Sequence, residues 1–360
     1  MVRQLMKGCE AIAEAAIRGG CRYFFGYPIT PQNDIPEYMS VRLPEVGGVF
    51  LQAESEVAAS NMVYGAAGAG ARVMTSSSSP GISLKQEGIS TIAGAELPCV
   101  VVNVMRGGPG IGGIQASQGD YFQATKGGGH GDYHLIVFGP ASIQETVNIL
   151  YDAFDISDRY RTPVMILADG LIGQMMEPVE MPEFKSTEQI QVDKPWAATG
   201  WHEGCGKPRA VINSLYIADG ELEALHERLQ ARYREIEKNE IRFDSYLAED
   251  AEVLLTAYGT IARVCRSAVD ELREEGIKAG LFRPISLWPF PSAALAAAAG
   301  RASVKQVLAV EISAGQMVED ARLAINGAKP VDFLGHPGSQ IATVSEIKER
   351  VRALVKEGRA

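Results

Sequence analysis

A chain of 360 residues exceeds the roughly 250 to 300 at which a single hydrophobic core stops growing, so two lobes are expected. Its 46% hydrophobic and 22% charged residues are the balance of a globular protein and exclude a disordered one. With 34 basic against 44 acidic residues, a net charge of -10 and a pI near 5.2, it lacks the basic surface by which proteins hold nucleic acid.

From the N-terminus, a small-residue helix is predicted over residues 7–17, stopped by Gly19-Gly20 and followed by an aromatic strand over 22–26. The alternation repeats, with strands over 48–52, 72–76, 98–105, 134–138 and 163–168 and helices over 54–68, 83–94 and 141–158. This order is that of a parallel sheet covered by helices, whose ligands gather at loops beyond the strand C-termini. After Met176 the composition turns polar and proline-rich, as in a linker, and a charged helix is predicted over 219–239. On it Leu222, Leu225, Leu229, Tyr233 and Ile236 form one apolar stripe, suited to packing on its own subunit or on a neighbour. From Glu252 the pattern resumes, with strands over 253–258, 278–283 and 306–311 and helices over 261–275, 292–299 and 316–325. The expected fold class is α/β, with two parallel-sheet domains over 1–178 and 246–360 and a linker with a helical arm over 179–245.

The longest apolar run, residues 98–105, is far shorter than the roughly 20 residues needed to cross a bilayer. Cys9, Cys21, Cys99, Cys205 and Cys265 never approach the C-x-x-C spacing of iron–sulfur or zinc sites. A cytoplasmic protein with reduced thiols and no cluster of its own is expected. Leu5-Met6-Lys7-Gly8-Cys9 faintly suggests a lipid-attachment box, but no apolar secretory core precedes it, and Cys9 is read as a buried helix residue.

The chemistry-bearing segments lie where strands end. Gly26-Tyr27-Pro28-Ile29-Thr30-Pro31 follows the first strand, and its prolines fix the backbone so that Thr30 faces the ligand edge. Glu54-Ser55-Glu56 opens a helix of small residues, where a carboxylate suits the partial positive charge of a helix N-terminus. Glu54 reads as dipole complementation, whereas Glu56 sits deeper and is the better candidate for chemistry. The run from Thr75 through Ser78 to Gly81 offers hydroxyls and backbone amides to a polar ligand, or merely caps a helix. Arg106 offers a planar pair of donors that suits a carboxylate. The glycines from Gly108 to Gly113 match G-x-G-x-x-G, the fingerprint of nicotinamide binding, but Pro109 interrupts it and no small-apolar helix follows. His130, in a glycine loop, reads as a solvated residue more readily than as a catalytic one.

Taken as an ordered set, these segments resemble the thiamine-diphosphate-dependent 2-oxoacid:ferredoxin oxidoreductases, in the subunit carrying a pyrimidine-type domain and a transketolase C-terminal-like domain. The likeness runs from Tyr27-Pro28-Ile29-Thr30-Pro31 through Arg283-Pro284-Ile285-Ser286 to Glu311-Ile312-Ser313-Ala314-Gly315, nearly the whole chain. The version Pro31-Gln32-Asn33-Asp34-Ile35-Pro36-Glu37-Tyr38 looks most like the branched-chain (2-oxoisovalerate) subunits, with 2-oxoglutarate and pyruvate as alternative substrates. The resemblance implies that Glu56 bonds N1′ of the cofactor's aminopyrimidine, with Tyr27, Pro28 and Thr30 beside the cofactor. It implies that Thr30, Arg106, Ile29 and Ser78 hold the 2-oxoacid. No G-D-G segment followed by asparagines is present, since Asp169-Gly170 comes after Ala168. The diphosphate end, Mg2+ and a [4Fe-4S] cluster are therefore expected in a β-type partner subunit. A γ-type subunit, a small ferredoxin-like δ subunit, coenzyme A and ferredoxin complete the implied assembly. Two rivals stay open: a nicotinamide-linked dehydrogenase, and a non-catalytic interaction subunit.

Overall fold

In the computed structural model, which describes residues 3–338 and 340–357, the chain begins β1 (Gln4–Lys7), α1 (Gly8–Arg18), β2 (Tyr23–Gly26), α2 (Asp34–Glu45), β3 (Val49–Gln52), α3 (Glu56–Gly68), β4 (Val73–Ser77) and α4 (Ser79–Gly94). It continues with β5 (Val100–Gly107), β6 (Gly113–Ala116), α5 (Tyr121–Thr125), β7 (Ile136–Phe138), α6 (Ile143–Tyr160), β8 (Val164–Asp169), α7 (Gly170–Gln174) and β9 (Met176–Val179). A mostly irregular stretch holding α8 (Thr187–Ile190) leads to the long α9 (Glu221–Asn239). The rest is β10 (Phe243–Tyr246), β11 (Val253–Thr256), α10 (Gly259–Glu274), β12 (Ala279–Pro284), β13 (Ser286–Trp288), α11 (Ser292–Ala299), β14 (Gln306–Glu311), α12 (Met317–Ile325), β15 (Val331–Gly335) and α13 (Val344–Glu357).

The main sheet has the order β13-β7-β8-β5-β4-β2-β3, with β6 folded back on β5. Strands β7, β8, β5, β4, β2 and β3 run parallel. Side chains alternate between faces along a strand, and that alternation builds the layers. Val100, Val102 and Val104 of β5 join the core of α1, α2 and α6, whereas Val101 and Met105 join that of α3 and α4. The second sheet, β10-β12-β11-β14-β15, repeats the device. Val253, Leu255 and Leu308 pack with α10 and α13, and Leu254 and Val307 with α11 and α12.

Three features depart from the sequence reading. Helix α2 occupies a stretch for which no element was predicted; Pro36 stands third in the helix, where a missing N–H costs no intrahelical bond. Helix α4 starts at Ser79, because Pro80 likewise falls in a first turn. And β13, distant in sequence, pairs antiparallel with β7 and extends the first sheet. The stripe on α9 is used within the chain: Leu225, Leu229, Tyr233 and Ile236 are buried while Leu222 is exposed. The Tyr233 ring stands 5.3 Å from His134 and 5.4 Å from Trp288. Cys9 is buried in α1, and no helix among the described residues is long and apolar enough to cross a membrane.

Buried polar groups join the two sheets. The Gln118 amide N–H donates to the Ile312 carbonyl at 2.7 Å. Its side chain accepts from Ile312 N at 2.9 Å and donates to the Tyr258 carbonyl at 2.8 Å. Asp169, at the end of β8, accepts from Thr260 N at 3.0 Å and Thr260 Oγ1 at 2.8 Å, at the start of α10. It also accepts from Leu171 N and Ile172 N, capping α7. Burial raises the pKa of this carboxyl, while the four donors pull it back. Asp169→Ala would strand those donors and is expected to lower unfolding free energy by about 3 kcal/mol or more. Asp169→Asn, which keeps an acceptor, should lose markedly less in the same urea titration.

Candidate functional site

Chain direction over the main sheet reverses between β2 and β4: β2 connects outward to β3, whereas β4 connects the other way to β5. In a parallel α/β sheet the crevice beyond the strand ends at such a point is where ligands bind. The loop after β2 and the start of α4 flank it, and Glu56 at the start of α3 lies beside them.

Ser55 fixes the position of Glu56. Its hydroxyl accepts from Ala58 N at 3.1 Å as the N-cap, so that Glu56 becomes the first residue of α3. Helices α3 and α4 then approach closely because α4 presents glycines. A Cβ at Gly81 would lie 2.7 Å from Glu56 Oε1, and one at Gly88 would collide with Ser60. Glu56 is only 5% exposed, yet its carboxylate accepts no hydrogen bond from the described residues. Glu54, two residues earlier, is exposed.

The loop after β2 is held from beneath. Gln32, fully buried, donates to the Tyr27 carbonyl at 3.3 Å and accepts from Ser76 Oγ at 2.5 Å. The Thr30-Pro31 bond is cis, and the Pro31 carbonyl accepts from Gln174 Nε2 at 2.5 Å. Tyr27, Pro28 and Thr30 are exposed at the crevice edge and Ile29 is half-buried. Arg106, at the end of β5, donates to the Thr30 carbonyl at 2.9 Å and to the Ile111 carbonyl at 2.8 Å. Part of its fork thus clamps two loops, while its buried Nε has no partner among the described residues.

The hydroxyls of Ser77 and Ser78 are likewise fully buried and unpartnered, at the N-terminus of the 16-residue α4. Ser79 Oγ donates to Asp120 at 2.5 Å, and Asn103 Nδ2 donates to the same carboxylate at 2.8 Å. Burial raises the Asp120 pKa, against those two bonds. Lys85, one turn beyond Gly81, is fully buried and donates to Thr75 Oγ1 at 2.9 Å. Burial pushes its pKa down to about 8, and the Glu56 carboxylate pulls it partly back.

The structure therefore brings Glu56, Thr30, Ser78 and Arg106 to one crevice and leaves His130 on an exposed loop. It also removes the nicotinamide reading. Residues 108–112 join β5 to the antiparallel β6 as a hairpin, with Gly108-Pro109 cis, and no helix N-terminus follows to receive a pyrophosphate. Gln32, Asn103, Asp120 and Lys85 were missed by sequence reasoning. Of these only Lys85 left a signal, as a charge on an otherwise small and apolar helix face. A flat, polar-edged ring suits this shelf: Glu56 is an unpaired acceptor, the α4 seam is bare at Gly81, and unpartnered hydroxyls adjoin it. Among the described residues no cluster of His, Cys, Asp and Glu has the makings of a metal site.

Residues 14–236 match the model of the pyruvate flavodoxin/ferredoxin oxidoreductase thiamine-diphosphate-binding family, and residues 251–347 match pyruvate:ferredoxin oxidoreductase core domain II. The chain belongs to the 2-oxoacid:ferredoxin oxidoreductase family. It is 47% identical to the ketoisovalerate oxidoreductase subunit VorB of Methanothermobacter thermautotrophicus, over 98% of both chains. It is 34% identical to the 2-oxoglutarate synthase subunit KorA of the same organism, over 95% of this chain and 96% of that one. The solved 2-oxoglutarate:ferredoxin oxidoreductase of Magnetococcus marinus superposes with a TM-score of 0.83 at 26% identity. That match covers 99% of this chain and 65% of that one. As an oxidoreductase subunit of this family, the chain is one component of a larger enzyme with a thiamine diphosphate site.

Two outcomes follow from the geometry. Arg106→Ala should speed backbone hydrogen exchange in residues 108–114 and 28–32 together, because one guanidinium anchors both loops; mass spectrometry of the intact chain reads this directly. Lys85 binds its proton less tightly folded, at about 8 against 10.5 for the ordinary side chain. The unfolded chain therefore holds more protons in that window, and stability rises with pH across it. Urea titrations from pH 7 to about 10 should show the wild type gaining on Lys85→Met by this route.

Proposed function

We propose that the chain supplies the aminopyrimidine half of the thiamine diphosphate site, and much of the substrate pocket, of a branched-chain 2-oxoacid:ferredoxin oxidoreductase. The reaction is CoA-dependent oxidative decarboxylation, giving acyl-CoA and carbon dioxide with reduction of ferredoxin. The observation that carries this reading is Glu56: a buried carboxylate, fixed by a helix cap at the switch point of the sheet, with no donor of its own among the described residues. When bound, thiamine diphosphate supplies the carbon nucleophile that attacks the 2-oxo group.

The residues of this chain have distinct tasks. Glu56 would hold the proton that it shares with the ring nitrogen N1′, so favouring the imino form of the aminopyrimidine. Tyr27, Pro28 and Thr30 form the rim against which the ring rests. Arg106, through the donors its two carbonyl bonds leave over, and Ser78 and Thr30, through their hydroxyls, hold the substrate's carboxylate and 2-oxo oxygen. Ile29 borders the side-chain pocket. A hydroxyl or guanidinium N–H left unpaired in a buried setting is costly, and a ligand that pairs it recovers that cost.

Substrate choice rests on the match to VorB, which is more similar to this chain than KorA is. The rim is open: Tyr23, Tyr27, Val41, Val49, Leu51 and Val57 are exposed around the edge strand β3. A diphosphate-binding, iron–sulfur β-type subunit closing this shelf would cover that apolar edge and complete the site with Mg2+. A γ-type subunit and a ferredoxin-like δ subunit complete the assembly. The buried, unpaired thiols of Cys9, Cys21, Cys99 and Cys265 suit the cytoplasm. The division at about residues 178 and 246 into pyrimidine-type domain, arm and transketolase C-terminal-like domain is retained, with β13 reaching across it.

The test is reconstitution with the partner subunits and 2-oxoacid-dependent reduction of ferredoxin or viologen. The isolated chain should be inactive, and 2-oxoisovalerate should give the highest kcat/KM. Glu56→Gln should slow hydrogen–deuterium exchange at the cofactor's C2 by about 10² to 10⁴-fold, while Glu54→Gln changes little. Arg106→Ala should raise KM with C2 exchange nearly normal. Activity from the chain alone, or loss of exchange in Glu54→Gln in place of Glu56→Gln, would overturn the assignment.

A further inference from the structure

Asp120 is a carboxylate that the chemistry above does not use. It stands at the N-cap position of α5, where an aspartate ordinarily accepts from the amides of its own helix, yet its side chain makes no such bond. Its Oδ2 instead accepts from Ser79 Oγ at 2.5 Å and from Asn103 Nδ2 at 2.8 Å, reaching across to α4 and β5. Asn103 Oδ1 in turn accepts from Ser79 N at 3.2 Å, which closes a ring of hydrogen bonds among Ser79, Asn103 and Asp120.

The ring fixes the surroundings of two residues assigned above to the substrate. Ser79 Oγ also accepts from Arg106 N at 3.0 Å, and Ser79 follows Ser78 directly in the chain. A serine hydroxyl has one proton to donate and two lone pairs. The Arg106 carbonyl, 3.2 Å away, could take that proton, but the charged oxygen of Asp120 is nearer and is the stronger acceptor. With the proton drawn to Asp120, a lone pair of the same oxygen is left for the Arg106 amide. One carboxylate thus sets the direction of the hydrogen bonds at the place where β5 delivers Arg106 and α4 begins.

Asp120 is itself held from the second sheet. On either side of it, Gln118 is bonded to Ile312, the Gly119 carbonyl accepts from Gln316 Nε2 at 2.7 Å, the Tyr121 hydroxyl donates to Asp320 at 2.6 Å and Phe122 N donates to Gln316 Oε1 at 2.7 Å. We propose that Asp120 is a positioning residue for the 2-oxoacid site, anchored by the second sheet and acting through the Ser79 hydroxyl on Arg106 and Ser78. The inference rests on the substrate roles given above to those two residues. It assigns Asp120 no contact with substrate or cofactor.

The test uses the complex reconstituted with its partner subunits. Asp120→Ala should raise KM for 2-oxoisovalerate about tenfold by misorienting the grip on its carboxylate, with C2 exchange in the substrate-free enzyme nearly normal. Asp120→Asn can keep an oxygen in the place of Oδ2, with its NH2 in the place of Oδ1, and should recover most of the wild-type KM. In an Arg106→Ala background, Asp120→Ala should add well under its own single effect, because it acts through a residue already lost. Ser79→Ala removes the link while sparing the Asp120–Asn103 bond; it should match Asp120→Ala, and it carries the test if that variant fails to assemble. A wild-type KM in Asp120→Ala or Ser79→Ala, an equal loss of C2 exchange, no recovery in Asp120→Asn, or effects that multiply in the double variant overturns the role of Asp120. A wild-type KM in Arg106→Ala overturns the substrate reading of Arg106 and the role of Asp120 with it.

Discussion

The site depends on how closely two helices approach. Because α4 carries no side chain at Gly81 or Gly88, α3 settles against it with Glu56 and Ser60 in the vacated space. An alanine at Gly81 would drive its methyl into the carboxylate and the Ser77 hydroxyl. Close packing turns a solvent-loving residue into a buried one whose surroundings are set by the fold. The burial of Lys85 follows from the same seam, as does the dry setting of Ser77 and Ser78. A looser pairing would let water reach these groups and relieve the burial that lowers the Lys85 pKa.

The remaining parts of the site are arranged by backbone carbonyls. Arg106 spends donors on Thr30 and Ile111, Gln32 binds Tyr27, and Gln174 binds Pro31. Loops fixed through carbonyls keep their side chains free, and this leaves Tyr27, Pro28 and Thr30 standing at the rim. Arg106 is both a fastening and, on the function proposed above, a source of unspent donors for the substrate, so its mutation would touch architecture and binding at once. Separating the two effects requires a structural readout beside a kinetic one.

Much of this was legible in the sequence. Apolar strands at even spacing announced the parallel sheet, and the segments after β2 and β4, read as ligand loops from their prolines and hydroxyls, do lie where strands of that sheet stop. The preference for Glu56 over Glu54 rested on the small residues that follow it, and the structure buries the first and exposes the second. What stayed hidden depends on distance in space. No local pattern says that Gln32 meets Ser76, or that Asn103 meets Asp120. Helix α2 went unassigned; its Pro36 and Pro44 fall in its first and last turns, where proline is compatible with a helix. The glycine run at 108–113 misled in the opposite way: a tight hairpin and a nucleotide loop ask for similar residues.

Strand β13 carries a consequence for how the molecule is made. Its residues, Ser286–Trp288, lie more than a hundred positions beyond β7, the strand they border. During synthesis, β7 remains an open edge while the arm and the start of the second sheet are still being translated. Open edges invite pairing with other chains. Growing chains crowded on one messenger would meet with such edges exposed, and the interval ends only when Trp288 has left the ribosome. The long polar α9, whose Tyr233 packs on His134 just before β7, emerges in that interval and is placed to shelter the edge until its own strand arrives.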